Sequence, residues 1–298
     1  MVRYFAAALV AIAIVVGTGY LVRDHLFAAT PSRPPAIAVV VTTAVDAAVP
    51  ERQTSVVVDL DGRVEKRAGT TWLPVAIGDE LSPQDSIRTG EDAHAHIKTG
   101  AQLVELGDRS EVTVGEISAT VSQFLLSEGR VTANTGPTRG HTIRIETRGT
   151  VAETDAGTFA VASAGDVAVA AERGNVTVTA QHESIQVHAG EQTIVATGAA
   201  PSAPTRIPAS LFLKVSAGGR DAIALLHGET EPGAIVSING VRSLANAKGG
   251  FDSNVALTAG DNVIVVSVQD ATGRSKQQVI KRNLDRTKPA IKTEVDWK

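Results

Sequence analysis

The sequence predicts an all-β protein of two successive β regions, preceded by one apolar helix. The main observation is the stretch His141–Ala180, where apolar and polar residues alternate with period two between Gly149, Gly157, Gly165 and Gly174. This pattern is typical of half-buried strands joined by tight turns, because a helix would need a period near 3.6. The composition points the same way: the chain is 43% apolar but only 3% aromatic. Its cores must therefore be built from Val, Ile, Leu and Ala.

Composition also excludes several classes of function. The net charge is -4, with acidic and basic residues interspersed, so the strong positive field that nucleic-acid binding requires is missing. The 298 residues contain no cysteine, which excludes disulfides, zinc–thiolate sites and thiol nucleophiles. We therefore expect no nucleic-acid partner.

Residues 1–27 are interpreted as a membrane anchor. The run Phe5–Val22 carries no charge, and about 20 apolar residues in a helix are needed to cross a bilayer. This favours a single-pass helix with the N-terminus in the cytoplasm and the rest of the chain on the far side. The alternative is a cleavable signal peptide and a secreted protein. Residues 28–54 are rich in proline and alanine and are predicted to form a linker.

Residues 55–196 are predicted to form the first β domain. Strands are expected at His94–Lys98, Gln102–Leu106 and Glu111–Val114. A charged residue, Gly, any residue and Val recur as D-G-R-V at Asp61, E-G-R-V at Glu128 and R-G-N-V at Arg173. We interpret this element as a reused hairpin, with Asp61-Gly62 at one tip.

The order of short motifs in this domain resembles that of the FecR domain family. The motifs are Trp72, Gly78-Asp79, Thr89-Gly90, Gly107-Asp108, Gly157-Thr158, Gly174 and Ala189-Gly190-Glu191. The resemblance implies a β domain outside the cytoplasm that receives a signal from an outer-membrane receptor. This domain would be joined to a cytoplasmic domain that controls a sigma factor. Here only Met1 to about Tyr4 precede the apolar run. Sigma-factor control would therefore need a second membrane protein.

Residues 216–285 are predicted to form an immunoglobulin-like β-sandwich, after a linker at 197–215 and before a tail at 286–298. Strands are expected at Ile235–Ile238 and Val241–Ala245, joined by the hairpin signal Asn239-Gly240. Further strands are expected at Ala222–His227, Phe251–Leu257, Asn262–Val268 and Gln277–Arg282. The region resembles bacterial Ig-like modules, similar to glucodextranase domain B-like modules.

No set of residues in the sequence predicts catalysis or a cofactor. His94 and His96 lie two apart on a strand, as a metal site would need, but no matching His-Asp cluster is near them in sequence, so an exposed polar face is favoured. Trp72 is interpreted as a core residue and not as a sugar platform. One group of carboxylates could serve acid–base catalysis, but a solvated face is favoured for it; it consists of Glu105, Asp108, Glu111 and Glu116. A second group could bind calcium, but ordinary solvated turns are favoured for it; it consists of Asp221, Asp261 and Asp270.

The predicted function is that of a non-enzymatic, membrane-anchored protein of the bacterial envelope. It would sit in the inner membrane through Phe5–Val22, with both β domains in the periplasm as a binding or scaffold module for an envelope protein or a glycan. No catalytic, cofactor or metal site is expected, and the ligand-binding residues stay unknown. One alternative is a FecR-type regulator that relays an envelope signal to sigma-factor control through another membrane protein. A less favoured alternative is an accessory of a glycan-active enzyme.

Overall fold

Every regular element in the described part of the chain is a β-strand, as the period-two alternation predicts. The computed structural model describes residues 54–136, 140–219 and 222–285. The first sixteen strands are β1 (Ser55–Asp61), β2 (Val64–Ala68), β3 (Thr71–Pro74), β4 (Glu80–Leu81), β5 (Ser86–Thr89), β6 (His94–Thr99), β7 (Gln102–Leu106), β8 (Glu111–Ile117), β9 (Val121–Asn134), β10 (Thr142–Thr147), β11 (Thr150–Thr154), β12 (Gly157–Ala164), β13 (Asp166–Ala180), β14 (Glu183–His188), β15 (Glu191–Val195) and β16 (Thr205–Arg206). The remaining strands are β17 (Leu213–Gly218), β18 (Ile223–Thr230), β19 (Ile235–Ile238), β20 (Val241–Leu244), β21 (Gly250–Ala256), β22 (Gly260–Gln269) and β23 (Ser275–Leu284).

The first sixteen strands form two layers that share two long strands. The first layer has the order β16-β15-β13-β12-β9-β7-β6-β1-β4. The second has the order β14-β13-β11-β10-β9-β8-β5-β2-β3. All pairs are antiparallel except β9 with β10. One hydrophobic cluster fills the space between the layers, and Phe124 of the second layer and Phe159 of the first are its largest fully buried side chains.

The strands β9 and β13 pass from one layer to the other at a glycine. Residues of β13 up to Gly174 pair with β12 in the first layer, and those from Asn175 onward pair with β14 in the second. In β9 the change occurs at Gly129. Both glycines have positive φ, +101° at Gly129 and +75° at Gly174, a conformation that other residues adopt only with strain. Each glycine therefore marks a bend within one strand.

These bends correct the hairpin interpretation of the recurring motif. All three copies lie at a change of layer, since β1 belongs to the first layer and β2, which follows Gly62, belongs to the second. The strands β1 and β2 do not pair with each other, so Asp61-Gly62 is not a hairpin tip. The valine two residues after each glycine is buried between the layers, at Val64, Val131 and Val176. The motif thus takes the chain from one layer to the other at the glycine, and its valine fixes the chain in the core between the layers.

The strands β17 to β23 form two further sheets that face each other. The sheets have the orders β17-β18-β21 and β20-β19-β22-β23. Leu226 and Phe251 of the three-stranded sheet pack with Ile264 and Val266 of the four-stranded one in a single cluster. The predicted strand Ile235–Ile238 is confirmed to the residue. The immunoglobulin-like identity of this region stays a prediction.

The four-stranded sheet packs against the outer face of the first layer through small side chains. In β12 the odd-numbered Phe159 and Val161 point into the core, while the alternate positions are alanines that point outward. Ala162 and Ala168 contact Ile235 and Leu244 there. This region of the first layer is therefore buried on both faces, and the expectation of half-buried strands is wrong for β12. Residues 52–298 belong to one compact unit, and the predicted domain bounds within it stay a prediction.

The predicted fold class also requires a correction, because it included a membrane-spanning helix. The described residues contain no helix, and so none that is long and apolar enough to cross a membrane. The apolar segment Phe5–Val22, on which that prediction rested, lies outside the described residues, as do the linker up to Gln53 and the tail from Arg286. Hydropathy measures the preference of a segment for an apolar medium and does not establish that the segment is helical. The fold class that the structure supports is all-β.

Candidate ligand-binding cleft

A cleft of about 740 Å³ lies where the two β regions meet. One wall is formed by the turns after β5 and β7, and the floor is the outward face of the four-stranded sheet. Most of the lining side chains are polar or charged. The wall contributes Glu91, Asp92, Asp108 and Arg109, and the floor contributes Ser237, Arg242, Ser267 and Gln277.

Two arginines join the wall to the floor of the cleft. Arg242 of β20 donates a hydrogen bond of 2.8 Å from its guanidinium to the carbonyl oxygen of Arg109. Arg109 in turn donates from its own guanidinium to the carbonyl oxygen of Gly240, at 3.4 Å. Gly240 and Asn239 form the β19–β20 hairpin turn, and both have positive φ, as the predicted Asn-Gly signal requires. These hydrogen bonds thus join the β19–β20 hairpin to the first β region.

The charges in the cleft are partly compensated. Burial lowers the pKa of the Arg242 guanidinium, while the nearby carboxylates of Asp108 and Glu128 act in the opposite direction. A guanidinium stays protonated in proteins at neutral pH, so Arg242 remains a cation. Arg109 forms an ion pair with the exposed carboxylate of Glu91.

The structure places His94 and His96 on the outward face of β6, as the spacing predicts, together with a residue that sequence reasoning missed. The carboxylate of Asp59 in β1 lies 3.2 Å from His96 Nδ1, at hydrogen-bond distance. One ligand atom from each of Asp59, His94 and His96 lies within 4.8 Å of the other two. The sequence argument that no His-Asp cluster is nearby fails because Asp59 comes from a strand 35 residues earlier than His94.

The carboxylates weighed for acid–base work are separated by the fold. Glu105 of β7 pairs with Arg130 at 3.0 Å, and Glu111 of β8 pairs with Arg67 at 3.4 Å. The strands β7 and β8 belong to different layers. Asp108 lines the cleft, and nothing pairs it with a second carboxylate there in the described contacts. The fold therefore places Glu105 and Glu111 with separate arginine partners in different layers.

The acidic residues weighed for calcium are also held by other partners. The buried carboxylate of Asp270 accepts hydrogen bonds from the Arg274 guanidinium and backbone. Asp261 accepts from Asn283, and Asp221 lies outside the described residues. Asp270 therefore stabilises the turn between β22 and β23, and Asp261 forms a cross-strand contact at the far end of the same strand pair.

The prediction of Trp72 as a core residue is wrong. Trp72 is half-buried on the edge strand β3 and is not part of the cluster between the layers. The guanidinium groups of Arg67 and Arg88 both lie over its ring, at 4.8 Å and 4.2 Å from the ring centroid. Glu65 holds Arg88 in this place at 2.8 Å. The tryptophan is thus stacked on the outer face of the second layer by cation–π contacts.

Comparison with known proteins identifies one region. Residues 85–177 match the family described as FecR protein, which confirms the resemblance for β5 through most of β13. Two crystal structures of a candidate anti-sigma factor from Parabacteroides distasonis are similar to the chain, with 18% and 17% sequence identity and a TM-score of 0.37 each. Each likeness covers 41% of this chain and 59% of the solved chain, and a TM-score of this size does not establish a shared fold. No curated protein matches the chain. The chain therefore contains a FecR region, built from the strands that form the centre of both layers.

Proposed function

We propose that the protein is a FecR-type regulator, which binds an envelope protein and relays this event to sigma-factor control through a separate partner. The match of residues 85–177 to the FecR family carries the proposal. The matched residues include Glu91, Asp92, Asp108 and Arg109, which form one wall of the cleft. The proposed role is non-enzymatic, in a compartment outside the cytoplasm.

The construction of the cleft supports a relay. Its wall belongs to the FecR region and its floor to the C-terminal sheets, and they are joined by Arg109 and Arg242. A ligand that engages Arg109 competes with the bond from this side chain to Gly240. Binding energy can then shift the packing of one β region against the other, as a two-state relay requires.

The test is a comparison of transcripts between the parent strain, a gene deletion and two chromosomal point variants. Arg242→Ala removes the hydrogen bonds that the Arg242 side chain donates to the wall, and Lys248→Ala is a matched cation loss at an exposed turn. We expect the deletion and Arg242→Ala to change transcription from promoters of one extracytoplasmic sigma factor, and Lys248→Ala to leave it unchanged. An unchanged regulon in the deletion strain would overturn the proposal.

A binding or scaffold role without transcriptional output is the second candidate, and the polar cleft favours it. Crosslinking in envelope extracts, with Arg109→Glu as the variant and Lys248→Glu as the control, separates the two. A partner that depends on Arg109 together with an unchanged regulon would support the scaffold. Protease accessibility in spheroplasts, measured in the same strains, tests whether the described β regions lie outside the cytoplasm.

A further inference from the structure

Three side chains on the outer face of the first layer converge at one point. His94 and His96 lie two apart on β6, so both project from the same face of the sheet. Their rings stand 5.7 Å apart between centroids, nearly perpendicular at 78°. The Asp59 carboxylate approaches His96 Nδ1 to 3.2 Å, and all three groups offer a ligand atom within 4.8 Å of the others.

A β-bulge in β1 brings Asp59 to this face. Val57 pairs with Ile97, and Asp59, not Val58, is the next residue opposite His96. In a regular antiparallel ladder Val58 would face His96, and Asp59 would face the fully buried Ala95. The bulge therefore takes the carboxylate from the core side to the histidine side, which is how bulges re-aim a side chain at a site.

The ring of His96 also contacts a carboxylate through its second nitrogen. Its second nitrogen, Nε2, lies 3.8 Å from Glu105 Oε2 on the neighbouring strand β7. Glu105 is itself fixed at 3.0 Å by Arg130, whose side chain is 7% exposed. A histidine that binds a metal through one nitrogen commonly directs the other to a carboxylate, which fixes the orientation of the ring.

We propose that Asp59, His94 and His96 form a binding site for a divalent transition metal, Zn²⁺ in the first place, with Glu105 as the carboxylate behind His96. Two imidazoles and one carboxylate are a ligand set typical of Zn²⁺, with water as the fourth ligand. Bond lengths of about 2.0–2.1 Å place the ligand atoms of a tetrahedral site about 3.4 Å apart. None of the three side chains is packed in the core, so each is free to rotate toward this spacing when a metal binds.

The site goes beyond the proposed regulatory function and has a natural control in the same chain. His227 of β18 and Asp252 of β21 form an exposed cross-strand pair at 2.7 Å. The pair has the same chemistry as His96 with Asp59, but no second histidine belongs to a ligand group with it among the described residues. It should therefore hold Zn²⁺ much more weakly.

The experiment is a Zn²⁺ titration of the full-length protein, produced without a histidine tag, by calorimetry and by competition with a chromophoric chelator. We expect one high-affinity equivalent, lost in His94→Ala and His96→Ala and in Asp59→Asn, and unchanged in His227→Ala. Glu105→Gln should weaken binding by about 10-fold, as removal of an outer carboxylate does. Co²⁺ in place of Zn²⁺ should give the visible absorption of a tetrahedral site in the parent protein and in His227→Ala, and not in the variants of Asp59, His94 or His96.

Circular dichroism melts in the presence of a chelator establish that each variant is folded before titration. If His94→Ala fails to fold, Asp59→Asn and Glu105→Gln carry the test, since both keep the shape of the side chain. The absence of saturable binding in the parent protein overturns the proposal. Equal loss of affinity in His227→Ala and in a folded ligand variant overturns it as well.

Discussion

Substitution of Gly174 by alanine should destabilise the protein far more than an equivalent change in a turn. An ideal Cβ at Gly174 would overlap the carbonyl oxygen of Ala156, well inside the distance at which real Cβ contacts occur, and lie 3.1 Å from the Cα of Gly157. The φ of +75° adds backbone strain, at about 1–2 kcal/mol for a residue with a side chain. Relief of the overlap requires the β12–β13 pair to separate locally, at about 1–3 kcal/mol. The total expected loss is about 2–5 kcal/mol.

The matched control is Gly165→Ala, in the turn that joins the same two strands. Gly165 also has positive φ, +93°, but nothing lies within 4 Å of an added Cβ. Gly165→Ala should therefore lower the free energy of unfolding only by the backbone strain, about 1–2 kcal/mol. Urea unfolding followed by circular dichroism gives both losses from the transition midpoints, provided that the slope is unchanged. Equal losses in the two variants would refute the argument that the layer crossing requires glycine at position 174.

Three further outcomes are expected. Ala168→Leu overpacks the contact between the β regions, where a Cβ added to Gly233 would already lie only 2.8 Å from the Ala168 Cβ. It should lower the free energy of unfolding by about 1–3 kcal/mol. The control Ala199→Leu, at an exposed position, should leave the free energy of unfolding unchanged. The hydrogen bond to Asp252, and next the charge of that carboxylate, raise the pKa of His227. The pair therefore stabilises the folded protein fully at pH values below the unfolded-state pKa of about 6.5. This stabilisation is lost as the pH rises through the higher folded-state pKa. An NMR titration should show that raised pKa and its return to the ordinary range in Asp252→Asn. Arg242→Ala should cost about 1–3 kcal/mol in urea unfolding, because it leaves the Arg109 carbonyl oxygen without this donor.

The sequence was sufficient to locate strands but not to pair them. Period-two alternation placed Gln102–Leu106 without error, because a strand with one buried face leaves that pattern in any fold. The bounds of Ile235–Ile238 are also as predicted. The recurring Gly-x-Val motif was visible, but a glycine with positive φ can close a hairpin or bend a strand between layers. Only the partners of the strands on each side decide between the two, and these partners are far away in sequence.

The candidate sites show the same limit. Asp59 reaches the histidines through one extra residue in β1, and a bulge shifts the register without a signal in the sequence. The contact between the β regions, in contrast, did leave a signal. The outward positions 160, 162 and 164 of β12 are alanine, where a solvated strand would have polar residues. Alternation of large and small apolar residues predicts a strand covered on both sides.

The alanines of β12 and β13 also mean that the FecR region would expose an apolar surface if it were separated from the C-terminal sheets. Cleavage between residues 197 and 210, followed by separation of the two parts, would leave a strip of uncharged small side chains open to water on a sheet. Two copies of such a strip can stack face to face, since no charge or bulky group keeps them apart. A fragment of residues 54–196 is thus expected to self-associate as its concentration rises. Loss of the C-terminal sheets by proteolysis would therefore promote association between copies of the remaining fragment.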